Sequence, residues 1–278
     1  MLTPTQLDQY NSNGFLLIEN FVASQSCDSL RARANELVAE FDPADVVSIF
    51  STNEQNRIAD QYFLESSDKI RFFFEEDAFR SDGTLKQPKA QSINKIGHGL
   101  HDRDKTFAQF SRDENIQELV SDLGLTNPLL MQSMYIFKQP NIGGEVSCHQ
   151  DSTFLYTDPN AIAGLWFALE DATIENGCLW AIRGGHHEGL KSRWVRNPEG
   201  GMKFINFNEK DWTMARLVPL EVSKGTLIVL HGLLPHLSRQ NRSARSRHAY
   251  TLHVISGDVD YPDDNWLQRS SEFPARGF

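Results

Sequence analysis

The spacing of apolar residues at the start of the chain predicts two helices separated by a strand. Thr3 and Gln6 form a capping-box pattern for the first helix, which Gly14 ends. The run 15–21 is short and apolar and predicts a strand. A longer helix follows with Ser24 as its N-cap, and its apolar positions recur every three or four residues. They are Cys27, Leu30, Ala34, Leu37, Val38 and Phe41.

A third helix is predicted beyond a long polar stretch. Residues 42–61 are polar and aperiodic, which is typical of a loop. The helix is expected to begin near Asp104 and to stop at Gly124, because glycine often follows a last helical turn. Its apolar side consists of Phe107, Phe110, Ile116, Leu119, Val120 and Leu123.

From residue 129 onwards the pattern changes to short apolar segments separated by Gly, Pro, Asn or Asp. These segments are 129–138, 163–171, 178–184, 225–232 and 247–256. Such a series predicts a sandwich or barrel rather than βαβ units. The irregular segment 196–212 interrupts it, and two interpretations stay open: a lid over a binding site, or a disordered surface insertion.

These elements predict a single domain over residues 1–278, mainly β with flanking α-helices. A helical N-terminal part of about 1–128 is expected to pack against a core of about 129–257. That core is predicted to be a double-sheet jelly roll, the cupin-like double-stranded β-helix.

Composition narrows the function by exclusion. A formal net charge of −10 argues against nucleic acid or an anionic membrane surface as the main partner. The widely spaced Cys27, Cys148 and Cys178 form no disulfide framework, which indicates a reducing compartment. We find no secretory signal, no apolar run long enough for a membrane span and no peroxisomal C-terminal tripeptide. A cytoplasmic location is therefore expected.

The first chemical signal is the tripeptide H149-Q-D151. Residues i and i+2 of a strand point to the same face, so His149 and Asp151 can converge on one metal ion. The tripeptide is too short to be specific by itself. Its alternative explanation is an exposed polar pair at the end of a strand.

A third ligand and a keto-acid site lie further along the chain. His231 sits on an apolar strand and is explained as a hydrogen-bonded core residue, whereas His236 follows a proline turn. Two histidines and one carboxylate form the facial triad of non-haem Fe(II) oxygenases, which leaves positions for a keto acid and dioxygen. Arg247 can pair with the distal carboxylate of that keto acid, and Ser238 can donate a hydrogen bond to it.

At these residues the chain resembles the phytanoyl-CoA dioxygenase family, and the resemblance covers nearly the whole sequence. The strings that carry it are SSDKIRFFFE (66–75), SINKIGHGLH (92–101), QSMYIFKQP (132–140), GGEVSCHQDSTFLYT (143–157), ENGCLW (175–180) and NWLQ (265–268). The resemblance implies a jelly-roll core with Fe(II) bound by His149, Asp151 and His236. It also implies a 2-oxoglutarate site formed by Arg247, Ser238, Lys95, Met134 and Trp166, with Gln150 beside the metal.

The residues alone do not select the last four of these positions. Lys95 is otherwise an ordinary surface lysine, and Met134 and Trp166 are otherwise core residues. Gln150 alternates with His149 and Asp151 and should point away from the metal.

The expected function is that of an Fe(II)- and 2-oxoglutarate-dependent dioxygenase, which hydroxylates a C–H bond and releases succinate and CO2. An acyl-CoA, another small molecule and a protein side chain all stay open as substrates. The alternative is a non-catalytic small-molecule-binding protein on a jelly-roll scaffold. An acyl-CoA would need cations for its phosphates, and the candidates are Lys191, Arg193, Arg196, Arg239, Arg242 and Arg245.

Overall fold

The computed structural model describes residues 2–43, 48–50 and 61–278 and confirms the predicted N-terminal elements. Helix α1 (Pro4–Asn13) has the capping box, with the Gln6 amide 3.2 Å from Thr3 Oγ1 and the Thr3 amide 2.9 Å from Gln6 Oε1. Strand β1 (Phe15–Ile18) and helix α2 (Ser24–Glu40) follow. The predicted N-cap of α2, Ser24, is instead its first helical residue, and Ala23 is the N-cap.

Two strands that the sequence pattern did not predict lie before residue 100. The predicted loop 42–61 falls largely outside the described residues, and helix α3 (Gln61–Leu64) begins at its end. Strands β2 (Ile70–Phe74) and β3 (Ile93–His98) pair in antiparallel fashion. All six β3 residues are buried, so this strand lacks the alternation of apolar and polar positions that identifies a half-exposed strand.

The helix predicted from near Asp104 to Gly124 is two short helices, α5 (Lys105–Ser111) and α6 (Glu114–Asp122), and a further short helix, α4 (Leu100–Arg103), precedes them. Two aspartates explain the breaks. Asp104 accepts hydrogen bonds from the amides of residues 106 and 107, and Asp113 accepts one from the amide of residue 115. Each therefore caps a new helix instead of continuing the previous one.

The remaining strands are β4 (Leu129–Ile136), β5 (Val146–His149), β6 (Ile162–Ala168), β7 (Leu179–Ile182), β8 (Ser192–Arg196), β9 (Met202–Asn206), β10 (Leu217–Leu220), β11 (Leu227–His231), β12 (His236–Ser238) and β13 (Ala249–Ile255). A seven-stranded sheet has the order β1-β11-β6-β13-β4-β3-β2, and a four-stranded sheet has the order β10-β7-β12-β5. Neighbouring strands in both sheets are antiparallel, as the predicted mainly β jelly roll requires. Strands β1, β2 and β3 come from the part predicted to be mainly helical, so the large sheet is not confined to 129–257.

Strands β8 and β9 form a separate hairpin beside the two sheets. The irregular segment 196–212 therefore contains regular structure, because β9 lies within it. Trp194 and Met202 are buried and pack in one cluster with Phe63 and Trp266. This packing makes the hairpin part of the fold. A lid movement of the same segment stays a prediction.

The large sheet is covered on one face by helices α2, α5 and α6, which form the main hydrophobic core with it. The C-terminal segment is held by Asp102, whose carboxylate is buried. It accepts hydrogen bonds from Arg112 at 2.7 Å and Arg276 at 2.8 Å, and also from Arg269. These contacts fasten the segment that follows Trp266. None of the helices in the described residues has the length and apolar character needed to cross a membrane.

Candidate active site

Two histidines from neighbouring strands of the small sheet face each other. His149 ends β5, and His236 begins β12 and is its partner in the antiparallel register. Their ring centroids are 4.3 Å apart. Pairing between strands that are distant in sequence therefore brings together the first and third residues of the predicted triad.

Backbone carbonyls fix the orientation of both rings. His149 Nδ1 lies 2.8 Å from the carbonyl oxygen of Ser147, and His236 Nδ1 lies 3.0 Å from that of Leu234. A carbonyl oxygen only accepts hydrogen bonds, so Nδ1 carries the hydrogen in each ring. The lone pair of each neutral imidazole is then on Nε2, the atom that can bind a metal ion.

Asp151 lies two residues beyond the end of the strand and not on it. β5 ends at His149, and Asp151 begins a 3-10 turn over Asp151–Thr153. The turn, not the predicted strand alternation, brings the carboxylate to the histidines. Asp151 Oδ1 lies 3.7 Å from Nε2 of His149 and 3.7 Å from Nε2 of His236. The three ligand atoms lie within 4.8 Å of one another, a spacing that could hold one metal ion.

His253, which was not among the predicted site residues, faces the other oxygen of this carboxylate. Its Nε2 atom lies 3.3 Å from Asp151 Oδ2. Burial alone would raise the pKa of Asp151, but His253, His236 and His149 together lower it below its ordinary value. Asp151 is therefore a carboxylate at neutral pH, with Oδ1 towards the two ligand histidines and Oδ2 towards His253.

The carboxylate also needs a glycine on the neighbouring sheet. Gly164 of β6 lies opposite His253 in the strand register, and a Cβ atom there would be 2.7 Å from Asp151 Oδ2. Real Cβ atoms do not approach an oxygen so closely, so a larger residue would displace the carboxylate.

We expect Gly164→Ala to weaken binding of a divalent metal by about 10- to 100-fold, the usual effect of disturbing a residue that supports a metal ligand. Titration with Mn(II) measures the affinity, and circular dichroism checks that the protein is folded. Unchanged metal affinity in the folded variant would contradict the position assigned to Asp151.

A cavity of about 160 Å³ lies between the two sheets and contains the triad. Its wall on the large sheet includes a row of paired residues, in which Trp166 of β6 lies opposite Thr251 of β13, and Thr251 lies opposite Met134 of β4. Lys95 of β3 lies in the next row, and it is buried with its Nζ atom 3.6 Å from the ring centroid of Phe50. Lys95 is thus a residue of the cavity and not an ordinary surface lysine.

Arg247 and Ser238, the predicted carboxylate-binding pair, are both buried. Arg247 lines the cavity, its Nε atom donates to the carbonyl oxygen of Gly177 at 3.0 Å, and its guanidinium lies 5.1 Å from the ring centroid of Trp166. Burial lowers the pKa of Arg247 to about 10, so it stays charged at neutral pH. Ser238 accepts a hydrogen bond at 2.9 Å from Lys138, another buried residue that was not predicted.

The unsatisfied polar atoms of the cavity indicate what it binds. Among the described residues, Arg247 Nη1 and Trp166 Nε1 are buried donors without a hydrogen-bond acceptor. Buried polar groups are nearly always satisfied, so these atoms call for a ligand. Two donors fit an anionic group, and a carboxylate beside two imidazole lone pairs fits a divalent cation.

Gln150 does not reach the cofactor pocket with its side chain. Its amide nitrogen donates to the carbonyl oxygens of Gly189 at 2.8 Å and Leu233 at 2.7 Å, and its amide oxygen accepts from the Lys191 amide at 2.9 Å. These bonds use both hydrogens of the Gln150 amide, and a role of Gln150 beside the metal stays a prediction. Gln150 ties two loops to the segment between His149 and Asp151 and so helps to position both ligands.

The remaining wall of the cavity is aromatic. Phe154 lies edge-on to His149 at 5.8 Å between ring centroids and edge-on to Trp194 at 5.9 Å. Phe63 stacks on Trp266 at 4.8 Å. These rings come from four separate segments, so the sequence pattern gave no sign that they meet. Beside the triad they form a surface for an apolar group.

The cations suggested for coenzyme A phosphates have internal partners. Lys191 donates to the carbonyl oxygen of residue 210, Arg193 pairs with Asp264, and Arg196 donates to the carbonyl oxygen of Trp266 at 2.6 Å. Arg239 lies 4.3 Å from the ring centroid of Trp180. Arg242 bonds the Gln240 side chain at 3.2 Å, and Arg245 lies 3.8 Å from Glu175. A phosphate would have to compete with these contacts.

Comparison with known proteins gives a family for this arrangement. The family model described as Phytanoyl-CoA dioxygenase (PhyH) matches residues 10–249. A protein of Arabidopsis thaliana named Phytanoyl-CoA dioxygenase is 50% identical over 272 residues, which cover 97% of this chain and 94% of that protein. The Phytanoyl-CoA dioxygenase domain-containing protein 1 homolog of Dictyostelium discoideum is 47% identical over 277 residues, which cover 98% of each chain.

Solved structures share the fold at lower identity. EctD from S. alaskensis with 2-oxoglutarate and 5-hydroxyectoine superposes with a TM-score of 0.65 at 17% identity, over 97% of this chain and 84% of that chain. The structure of EctD with bound Fe gives a TM-score of 0.63 at 17% identity, over 99% and 84%. Similarity at this level of identity establishes a common fold.

Proposed function

This chain belongs to the phytanoyl-CoA dioxygenase family, and from that premise we propose that it is an Fe(II)- and 2-oxoglutarate-dependent dioxygenase. The observation that carries the proposal is the cluster formed by His149, Asp151 and His236, whose ligand atoms lie within 4.8 Å of one another in the cavity. The unsatisfied donors of Arg247 and Trp166 in the same cavity support an anionic co-substrate. Solved EctD structures of this fold hold 2-oxoglutarate in one case and iron in another.

The proposed metal ligands are Nε2 of His149, Oδ1 of Asp151 and Nε2 of His236. Bound iron and 2-oxoglutarate would supply the oxidising chemistry, with succinate and CO2 as products. The protein supplies fixed geometry. Backbone carbonyl oxygens hold His149 and His236 each in the tautomer with hydrogen on Nδ1. His253 faces Oδ2 of Asp151, the carboxylate oxygen that is turned away from the metal position.

The other end of the cavity would orient the co-substrate. The guanidinium of Arg247 is held by the Gly177 carbonyl and can pair with the distal carboxylate. The hydroxyl of Ser238 accepts from Lys138, which leaves its own hydrogen to donate to the same carboxylate. Met134 and Trp166 would line the space between this carboxylate and the metal.

We propose an apolar group on a small molecule as the target of hydroxylation. Phe63, Phe154, Trp194 and Trp266 line the cavity beside the triad and offer an apolar surface to a substrate. An acyl-CoA is the weaker candidate because the cations on the β8–β9 side already have partners.

The test is a screen for 2-oxoglutarate-dependent succinate release with anaerobically prepared Fe(II) protein. The panel contains acyl-CoAs, the corresponding free acids, small aromatic and branched apolar molecules, and peptides. We expect succinate release above the substrate-free rate with a small apolar molecule, together with a product that is one oxygen heavier. If no member of the panel stimulates succinate release although both cofactors bind, a binding function on the same scaffold would replace the catalytic one.

A further inference from the structure

Lys138 is a buried lysine at the end of the cavity where the co-substrate carboxylate is proposed to bind. It follows β4, is 1% exposed, and lines the same cavity as Arg247. Neither the metal triad nor the predicted co-substrate residues include it. Burying an ammonium group is costly unless the group is paired, so its presence here calls for an explanation.

The hydrogen bonds of Lys138 leave one donor for a ligand. Its Nζ atom donates to Ser238 Oγ at 2.9 Å and to the carbonyl oxygen of Gly144 at 2.5 Å. An ammonium group has three hydrogens, and these are its two hydrogen bonds among the described residues. Both partners are neutral. The positive charge is therefore not balanced by a direct carboxylate contact.

The surrounding residues bring Lys138 close to the other two donors. A Cβ atom on Gly177 would lie 2.7 Å from Lys138 Cε, and the carbonyl oxygen of Gly177 accepts from Arg247 Nε at 3.0 Å. The lysine stem and the guanidinium thus contact the same glycine. Arg247 Nη1 is buried without an acceptor among the described residues. Ammonium, hydroxyl and guanidinium donors converge on one end of the cavity.

The buried side chain of Glu75 holds the Gly144 peptide that positions Lys138, but it does not itself contact the ammonium group. Glu75 Oε2 accepts from the Gly144 amide at 2.9 Å and from Asn94 Nδ2 at 2.8 Å. The carbonyl of the same glycine then accepts from Lys138. Glu75 therefore fixes the Gly144 peptide, which in turn orients the ammonium group.

We infer that Lys138 joins Arg247 as a cationic residue at the distal-carboxylate end of the co-substrate site and makes that site selective for 2-oxo dicarboxylates over 2-oxo monocarboxylates. This inference rests on the proposed function. One buried arginine supplies a single positive charge, whereas Arg247 and Lys138 together supply two around one carboxylate. A 2-oxo acid without a distal carboxylate would leave Arg247 buried and unpaired and would give Lys138 no anion to stabilise its ammonium form.

The protonation of Lys138 is consistent with this role. Burial, and secondarily the charge of Arg247, lower the pKa of Lys138 to about 7, while Glu75, Glu145 and Cys178 act in the opposite direction. A bound carboxylate favours the ammonium form and raises this pKa. At pH 8 the free protein therefore holds Lys138 mostly neutral, and binding of 2-oxoglutarate should take up close to one proton.

The first experiment compares co-substrate affinities by calorimetry on Mn(II)-loaded protein. Lys138→Gln keeps hydrogen-bonding capacity but removes the charge, and Lys105→Gln changes an exposed lysine as the control. We expect Lys138→Gln to weaken the binding of 2-oxoglutarate by about 10- to 100-fold relative to the wild type. The affinity of Lys138→Gln for 2-oxopentanoate, which lacks the distal carboxylate, should differ less than threefold from that of the wild type. An affinity of Lys138→Gln for 2-oxoglutarate within twofold of the wild type would overturn the inference.

The second experiment needs no stable variant. Binding enthalpies of 2-oxoglutarate measured at pH 8 in two buffers of different ionisation enthalpy give the number of protons taken up. We expect close to one for the wild-type protein, and close to zero for Lys138→Gln if it folds. Absence of proton uptake by the wild type at pH 8 and again at pH 9 overturns the role of Lys138 and leaves the proposed function intact. If the wild type binds neither 2-oxo acid, the proposed function fails as well.

Discussion

Replacing Asp151 by alanine is expected to abolish 2-oxoglutarate-dependent succinate formation. Asp151 supplies the only carboxylate of the proposed triad, and its Oδ1 atom lies 3.7 Å from both histidine Nε2 atoms. Two imidazoles alone bind a divalent metal weakly and leave its position undefined. We expect metal affinity to fall by at least about 100-fold, a larger loss than disturbing a supporting residue causes. Titration with Mn(II) and a succinate assay measure the two effects.

The control for Asp151→Ala is Asp8→Ala, which removes an exposed carboxylate on α1. It should bind metal and form succinate as the wild type does. Retention of full succinate formation by a folded Asp151→Ala variant would remove the basis for the proposed metal site.

Replacing Arg247 by methionine is expected to have the second largest effect. The side chain keeps its length but loses the planar charge that is proposed to pair with the distal carboxylate. Truncating one partner of a buried charged pair costs about 2 kcal/mol or more, which corresponds to at least about a 30-fold weaker binding of 2-oxoglutarate. Affinity for the metal alone should not change, because Arg247 bonds Gly177 and not a member of the triad.

Two further variants sharpen this prediction. Arg247→Lys retains a charge without the fork of donors and should lie between the wild type and Arg247→Met. Arg242→Met removes an exposed cation from the nearby loop and should leave 2-oxoglutarate affinity unchanged. A dissociation constant of Arg247→Met within threefold of the wild type would place the co-substrate carboxylate elsewhere.

Elements with local signals were predictable from the sequence. Thr3 and Gln6 define the start of α1 by themselves, and the apolar stripe of α2 has a period that only a helix explains. Strand β3 has no such signal, because it is buried on both faces and includes Lys95, a residue usually found at surfaces. Its place in the large sheet depends on contacts with β2 and β4.

The site was predictable where residue type and spacing carry the chemistry. His149, Asp151 and His236 follow from the ligand preferences of iron, and Arg247 follows from those of a carboxylate. Lys138 and His253 were not selected, because neither lies in a recognisable ligand motif and each contacts a partner from a distant segment. Lys138 lies within QSMYIFKQP, one of the strings that carry the family resemblance, but its bond to Ser238 is visible only after folding.

The aromatic wall of the cavity could not be predicted from the sequence either. Phe63, Phe154, Trp194 and Trp266 meet because α3, the turn after β5, the β8–β9 hairpin and the C-terminal segment converge on the cavity. No spacing in the sequence relates these four segments. The aromatic wall is therefore a product of tertiary packing, whereas two of the three proposed metal ligands lie in one short motif, H149-Q-D151.

The most direct test of the metal and co-substrate site is an anaerobic titration of the wild-type protein with Fe(II) and 2-oxoglutarate. Chelation of iron by the keto acid produces a visible charge-transfer absorption band. We expect this band to appear only when both are present and to saturate at one iron and one 2-oxoglutarate per chain. Absence of the band at saturating concentrations of both, in folded protein, would contradict the assignment of His149, Asp151 and His236 as an iron site that binds 2-oxoglutarate.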